Sequence, residues 1–112
     1  HGTPATIAAA IDAVRKRLAP KAPFFVTLGS QRDPRFGTGR LIAPGAFVTL
    51  DGSEAGVAHS YFDEAGVRKL FAGFTLDDVR ETDASEIVGR WAHSERETAG
   101  IVHWWVRARR AQ

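Results

Sequence analysis

Four histidines, at positions 1, 59, 93 and 103, are the side chains of this sequence best suited to move a proton near neutral pH or to ligate a metal ion. Metal sites usually show ligand pairs a few residues apart, and these histidines form none. The sequence has no cysteine, which removes thiolate ligands, thiol nucleophiles and disulfides. We therefore predict no metal site.

Carboxylates and hydroxyls form no specific catalytic pattern. The acidic pairs at 63–64 and 77–78 fit a helix start and a strand edge, so paired-carboxylate catalysis has no support. Ser30 and Ser60 lack the glycine context of a hydrolase nucleophile.

The segment GIVHWWVRARR near the end of the sequence could be a nucleic-acid surface, a ligand corner or a strand. As a strand, it begins apolar on both faces, which is typical of a strand that has neighbours on each side and helices over each face. Trp104 and Trp105 are then core anchors that point in opposite directions, and His103 is a buried imidazole. There are 15 basic against 13 acidic residues, and this small excess favours a solvated basic end over a nucleic-acid interface.

The composition indicates one soluble globular domain over residues 1–112. The chain has 44% hydrophobic and 25% charged residues, a balance that can bury a core. No apolar run approaches the ~20 residues that span a bilayer, and the first residues do not resemble a signal peptide. With the lack of cysteine, we expect a cytoplasmic protein.

Two helices are predicted, and for each the sequence indicates both the first and the last residues. The first follows Thr3 as N-cap and Pro4, carries apolar residues at helical spacing and ends before Pro20. The second begins at Asp63 and ends near Gly73, with Phe62 and Val67 as a hydrophobic staple. A third, weaker helical turn is predicted around Ile87 and Trp91.

Three strands accompany these helices. Residues 24–28 form a continuous apolar run, which predicts a strand buried on both faces. Residues 74–83 alternate like a strand near a sheet edge, and residues 100–109 form the last strand. A helix between two strands favours an α/β sheet with a right-handed crossover, and the last two strands are expected to pair antiparallel. Residues 30–60 are predicted to be a long irregular loop of the kind that often binds ligands.

The runs HGTPATIAAAIDAVRKRLAPKAPFFVTLGS, HSYFDEAGVRKLFAGFTLDDVRE and HWWVRARR, in this order and spacing, resemble the C-terminal half of class I S-adenosylmethionine-dependent methyltransferases. The resemblance covers nearly the whole chain. It implies about three strands of a Rossmann-like, three-layer α/β sheet with two helices. The strand that is last in the sequence is antiparallel and lies between the other two.

Two departures from the family pattern matter. Lys21 and Ala22 stand where the family has two turn glycines, a change expected to alter the turn and not the fold. The resemblance also implies that the first four strands are missing, and with them the glycine-rich loop and the acidic residue that hold S-adenosylmethionine. The isolated chain is then expected to be incomplete as an enzyme.

The resemblance implies roles for six residues. His59 would accept a proton from the methyl acceptor, and His1 would lie close to the cofactor's methyl group. The acceptor pocket would be lined by Ser30, Arg32, Phe36 and Tyr61. Each residue could instead have a purely structural role. His1 could be a disordered terminal residue, and Ser30, Arg32 and Phe36 could be turn and packing residues. His59 and Tyr61 could simply belong to the segment that caps the second helix.

The implied function is methyl transfer from S-adenosylmethionine to a small molecule. The alternative is a non-catalytic interaction or dimerisation module derived from such an enzyme. The strand at 24–28 is expected to be an exposed edge, which could recruit a second copy or a missing N-terminal half. No membrane or nucleic-acid partner is expected.

Overall fold

The structure, a computed structural model, describes residues 1–83 and 100–111. Its sheet is mixed and six-stranded in the order β2-β3-β4-β1-β6-β5, so the architecture is α/β. In chain order the elements are α1 (Pro4–Arg17), β1 (Pro23–Ser30), β2 (Arg40–Ala43), β3 (Ala46–Val48), β4 (Ala58–Phe62), α2 (Glu64–Leu70), β5 (Phe74–Asp83) and β6 (Val102–Arg110).

Both helices begin where their capping residues predict. The Thr3 hydroxyl accepts from the Thr6 amide at 3.2 Å, and the Asp63 carboxylate accepts from the Gly66 amide at 2.7 Å. Between α1 and β1, Lys21 has a φ of 65°, the left-handed conformation that glycine adopts without cost. Lys21 therefore adopts a conformation that favours glycine, and the prediction that replacing the family's glycines alters the turn stays a prediction.

The three predicted strands form one side of the sheet. The last strand, β6, lies between β1 and β5 and is antiparallel to both, which confirms the predicted strand order. Its pairing with β5 runs from Phe74–Arg110 to Asp83–Val102, with a bulge at Asp77 that shifts the register once. β5 is an edge strand, as its charged face indicated.

The core lies on one face of this sheet. Both helices contribute to it, with Ile11 from α1 and Val67 from α2 packed against alternate residues of β6, namely Trp104, Val106 and Ala108. Alternate residues share a face, so both helices cover the same face. The part of the chain that the structure describes therefore has two layers, where the sequence predicted three.

The prediction that β1 is buried on both faces is wrong. Its burial alternates, with Phe24, Val26 and Leu28 toward the core and Phe25 68% exposed on the other face. A strand reads as a continuous apolar run when both faces are covered, and here only one is.

The prediction of an irregular loop over residues 30–60 is also wrong. That stretch contains two short apolar patches, at residues 41–42 and 47–50. They overlap β2 and β3, which form an antiparallel hairpin around Pro44 and Gly45. β4 pairs antiparallel with β3 and parallel with the end of β1. The sheet therefore has six strands and not the three predicted.

β1 is paired unequally on its two sides. β6 pairs with it from Pro23 to Gly29, while β4 pairs only with Gly29 and Ser30. Within residues 1–83 and 100–111, no strand pairs with residues 23–28 on the β4 side, so the expected open edge is there, and its recruitment of a partner stays a prediction.

The helical turn predicted around Ile87 and Trp91 lies outside the described residues, and so does His93. A search of the described helices finds none with the length and apolar character needed to cross a bilayer.

Candidate functional site

Strand β4 positions the candidate site because its residues alternate between two faces. Ser60 and Phe62 point toward the helices, and Phe62 belongs to the core. His59 and Tyr61 point to the opposite face. Phe47 on β3 is the register partner of His59, so it lies on the same face. The short strands thus present one histidine beside two aromatic rings.

His59 is held by contacts at both ring nitrogens. Its Nδ1 lies 3.0 Å from the Val57 carbonyl oxygen, which can only accept, so Nδ1 carries a proton. Its Nε2 contacts a carboxylate oxygen of Glu54. Because Nδ1 is already the donor, Nε2 directs either a lone pair or a second proton at Glu54. His59 and Glu54 can therefore hold a proton between them, and their side chains are 19% and 27% exposed.

The His1 ring lies beside His59 and Glu54 because the next residue, Gly2, is hydrogen-bonded to β4. The Gly2 amide donates to Ala58 O at 2.9 Å, and the Ser60 hydroxyl donates to Gly2 O at 2.5 Å. These bonds fix the chain beside β4, and the His1 ring meets the His59 ring edge-on at a centroid distance of 4.7 Å. His1 Nε2 is 3.4 Å from Glu54 Oε1.

The ligand-type atoms of His1, Glu54 and His59 all lie within 4.8 Å of one another. Two of the four histidines thus lie together in space although they are far apart in the sequence. Sequence spacing shows ligand pairs only when both lie on one element, whereas His1 and His59 are brought together by pairing between distant segments. Glu54, which sequence reasoning missed, precedes His59 by five residues across a turn.

An aromatic wall adjoins the histidines. Phe36, Phe47 and Tyr61 contact one another edge-to-face, with ring centroids 5.6 to 6.3 Å apart. A Cβ on Gly29 would lie 2.8 Å from Ser60 O and 3.3 Å from the Tyr61 ring, so this position must remain glycine. Burial, together with the Asp33 carboxylate, raises the pKa of Tyr61, which keeps its phenol neutral.

Ser30 and Arg32 lie apart from this wall. Ser30 is fully buried, donates to Glu81 at 2.5 Å and accepts from the Arg32 amide. The Arg32 guanidinium pairs with the same carboxylate at 2.8 Å and is 80% exposed. The structure therefore brings together four of the six predicted residues, His1, Phe36, His59 and Tyr61, and places Ser30 and Arg32 in a separate network with Glu81.

Asp33 ties the site to the sheet. It is 5% exposed, and its two oxygens accept from the backbone amides of Arg35 and Val102 at 2.8 Å each. It thus fixes the loop that carries Phe36 to the start of β6. An Asp before a proline, as in Asp33-Pro34, often accepts hydrogen bonds in a turn. Its second partner, the Val102 amide 69 residues away, could not be seen in the sequence.

The described residues do not build a complete site for S-adenosylmethionine. Such sites in Rossmann-like folds use a glycine-rich turn from strand to helix, followed by an acidic residue after the next strand. The turn from β4 to α2 is Phe62-Asp63-Glu64, without glycine, and β1 runs into a loop. What the site offers is a proton acceptor, a carboxylate and an apolar wall.

No protein-family model matches the sequence, and neither does any curated protein. Among solved structures, the fold is similar to that of a SAM-dependent methyltransferase from Methanosarcina mazei, with a TM-score of 0.69 and 20% identity. The match covers 96% of this chain and 52% of that one, so this chain spans about half of the solved protein's length. At this identity the likeness shows a methyltransferase-like fold.

Proposed function

We propose that this chain is the C-terminal, acceptor-binding half of a SAM-dependent methyltransferase that acts on a small molecule. The observation that carries the proposal is the pairing of His59 with Glu54 directly beside the aromatic wall of Phe36, Phe47 and Tyr61. A proton acceptor next to an apolar surface is what an acceptor with one ionisable heteroatom needs.

The wall would hold the apolar body of the acceptor. Phe36 is 37% exposed and offers the most accessible ring for stacking, while Tyr61, 7% exposed, supports it from behind. The neutral Tyr61 phenol can donate a hydrogen bond. The acceptor's heteroatom would then lie toward His59.

His59 would take the proton that the acceptor loses. Nδ1 keeps its proton and donates a hydrogen bond to Val57 O, so Nε2 is the nitrogen that would accept the acceptor's proton. Glu54 contacts this same nitrogen, unlike the carboxylate of a catalytic triad, which binds Nδ1–H. It would therefore turn aside to admit the acceptor and then balance the positive charge that forms on the ring. This arrangement activates the nucleophile without covalent chemistry by the protein.

S-adenosylmethionine, when bound, supplies an electrophilic methyl group on a sulfonium. Of the predicted residues, His1 is the one proposed to face it. The remaining contacts must come from residues beyond those described, either in the natural polypeptide that carries this chain or in a partner. A second copy docked on the open side of β1 is the other source that we propose.

The first experiment tests acceptor binding, which needs no cofactor. The chain with ¹³C-labelled phenylalanine and tyrosine is titrated with a small thiol, a phenol and an aromatic amine and followed by NMR. We expect shifts at Phe36, Phe47 and Tyr61 and none at Phe74, a core ring. If none of the three compounds moves the wall residues, the proposal fails.

The second experiment measures methyl transfer by the natural polypeptide that carries this chain. His59→Ala should lower kcat by about 10²- to 10⁴-fold, the usual contribution of a general base. Glu54→Gln should lower it less, and Glu64→Gln, the same change on the exposed start of α2, should leave it unchanged. A protein that binds a partner but neither S-adenosylmethionine nor an acceptor would instead be an interaction module.

A further inference from the structure

We propose that His1, Glu54 and His59 form a binding site for a divalent transition-metal ion, with Zn²⁺ as the reference ion. Two imidazoles and one carboxylate are a common ligand set for such ions. The site goes beyond the proposed methyl-transfer function and does not depend on it.

The first argument is the orientation of His59. Histidines that bind metals almost always donate their other ring N–H to a carbonyl or carboxylate, which fixes the tautomer. His59 does this, since Nδ1 donates to Val57 O at 3.0 Å. With Nδ1 as the donor, Nε2 is left facing the Glu54 carboxylate, where either a second proton or a metal ion can join the two groups.

The second argument is the distance between the ligand atoms. Tetrahedral Zn²⁺ with bonds of about 2.0–2.2 Å places neighbouring ligand atoms about 3.3 Å apart. His1 Nε2 and Glu54 Oε1 are 3.4 Å apart, and all three ligand atoms lie within 4.8 Å of one another. His59 Nε2 and the Glu54 carboxylate are closer to each other than a tetrahedral ion would hold them, so side-chain rotation must move these two groups apart before the three atoms can surround one ion.

The third argument is that the backbone holds the outlying ligand. His1 lies outside the helices and strands, so other contacts must hold it in place. The two hydrogen bonds of Gly2 to Ala58 and Ser60 anchor it beside β4. The His1 side chain is 58% exposed, so water can complete the coordination at the open side.

The ligand chemistry selects the class of ion. Mg²⁺ and Ca²⁺ prefer oxygen ligands, whereas imidazole suits Zn²⁺, Co²⁺ and Ni²⁺. A bound ion would occupy the His59 lone pair that the proposed base uses. Metal binding and proton acceptance by His59 therefore compete, and the two proposals can fail separately.

The first test is a Co²⁺ titration followed by visible absorbance, with Zn²⁺ displacement and a Mg²⁺ control. The α-amine of His1 is acetylated so that it cannot ligate. We expect one Co²⁺ per chain, displaced by Zn²⁺ and not by Mg²⁺. His59→Ala and Glu54→Gln should each weaken Co²⁺ binding by more than about tenfold, the lower end of what even outer-shell changes cost. Glu64→Gln serves as the matched control and should bind like the parent.

The second test uses the unaltered sequence, so it does not depend on a variant that folds. ¹⁵N-histidine NMR with Zn²⁺ should shift Nε2 of His1 and His59 and leave the Nε2 signal of His103 in place. Binding that is equal in the parent, His59→Ala and Glu54→Gln, or Zn²⁺ shifts at other histidines, would overturn the metal site. Acceptor shifts at the aromatic wall would persist in that case if the proposed function is right.

Discussion

The molecule consists of two regions with different construction. The long-strand region comprises α1, α2, β1, β5 and β6, with strands of eight to ten residues. The short-strand region comprises β2, β3 and β4 with the loops between them, and its strands have three to five residues. Of the buried core cluster, only Phe62 comes from the short-strand region. The first region carries the fold, and the second carries the candidate chemistry.

This difference has a physical reason. A site needs exposed polar side chains, and a segment that exposes them cannot also bury much apolar surface. The short-strand region is therefore held by a few directional contacts with the long-strand region. The main ones are the parallel pairing at Gly29 and Ser30 and the hydrogen bond that Asp33 accepts from the Val102 amide. We therefore expect mutations in the long-strand region to lower mainly stability, and mutations in the short-strand region to lower mainly ligand binding.

The largest expected effect is in the core of the long-strand region. Phe71 is 1% exposed and packs against Phe24 and Phe74. Phe71→Ala should lower the free energy of unfolding by about 3–5 kcal/mol through lost burial and the cavity left behind. Urea unfolding followed by circular dichroism measures it.

Phe36→Ala is the matched change in the short-strand region. It removes two edge-to-face contacts from a ring that is 37% exposed, so it should cost about 1 kcal/mol while abolishing acceptor shifts at the wall. Equal losses of stability for Phe71→Ala and Phe36→Ala would contradict the division into a region that carries stability and one that carries binding.

The sequence predicted the long-strand region well and the short-strand region poorly. Helical spacing, capping residues and apolar runs are local signals, and they identified both helices and all three long strands. β2 and β3 were seen only as apolar patches because strands of three or four residues show too little alternation. The Pro44-Gly45 dipeptide between them is a turn signal that could have revealed the hairpin.

The candidate site shows the same division. His59 and Tyr61 could be predicted because they precede a helix in a recognisable pattern. Glu54 could not, since its contact with His59 depends on how residues 51–57 turn, and no periodicity describes that turn. His1 meets His59 only through the hydrogen bonds of Gly2. Such contacts are set by tertiary structure, which is why sequence spacing gave no sign of this cluster.

A pH-dependent stability of intermediate size is expected from the long-strand region. Burial lowers the pKa of His103 below 6.5, although the nearby Asp33 carboxylate opposes the shift. Below pH 6.5 the unfolded chain takes up this proton more readily than the folded one, so stability falls as the pH falls. One proton limits the slope to about 1.4 kcal/mol per pH unit.

His103→Gln isolates this contribution. The difference in unfolding free energy between variant and parent should shift in the variant's favour from pH 7.5 to pH 5 and stay constant above pH 7.5. A difference that is constant over the whole range would show that His103 titrates alike in both states.

The smallest expected effect distinguishes two neighbouring arginines at the end of β6. Arg109 pairs with Asp77 through two hydrogen bonds of 2.8 and 2.9 Å on the exposed side of the sheet. The Asp77 pKa is lowered by this pair, but solvent screens such pairs strongly. Arg109→Gln should therefore leave the urea midpoint unchanged within error.

Arg110 turns to the helix side of the sheet and donates to Leu18 O at 2.7 Å, at the end of α1. A helix leaves its last carbonyl groups without partners, and a partly buried donor there contributes about 1 kcal/mol. Arg110→Gln should thus lower the unfolding free energy measurably where Arg109→Gln does not. If the two variants behave alike, the basic end is only a solvated surface. If they differ as expected, alternation along β6 decides which arginine helps to hold the long-strand region together, and the position of a charge on a strand matters more than the charge itself.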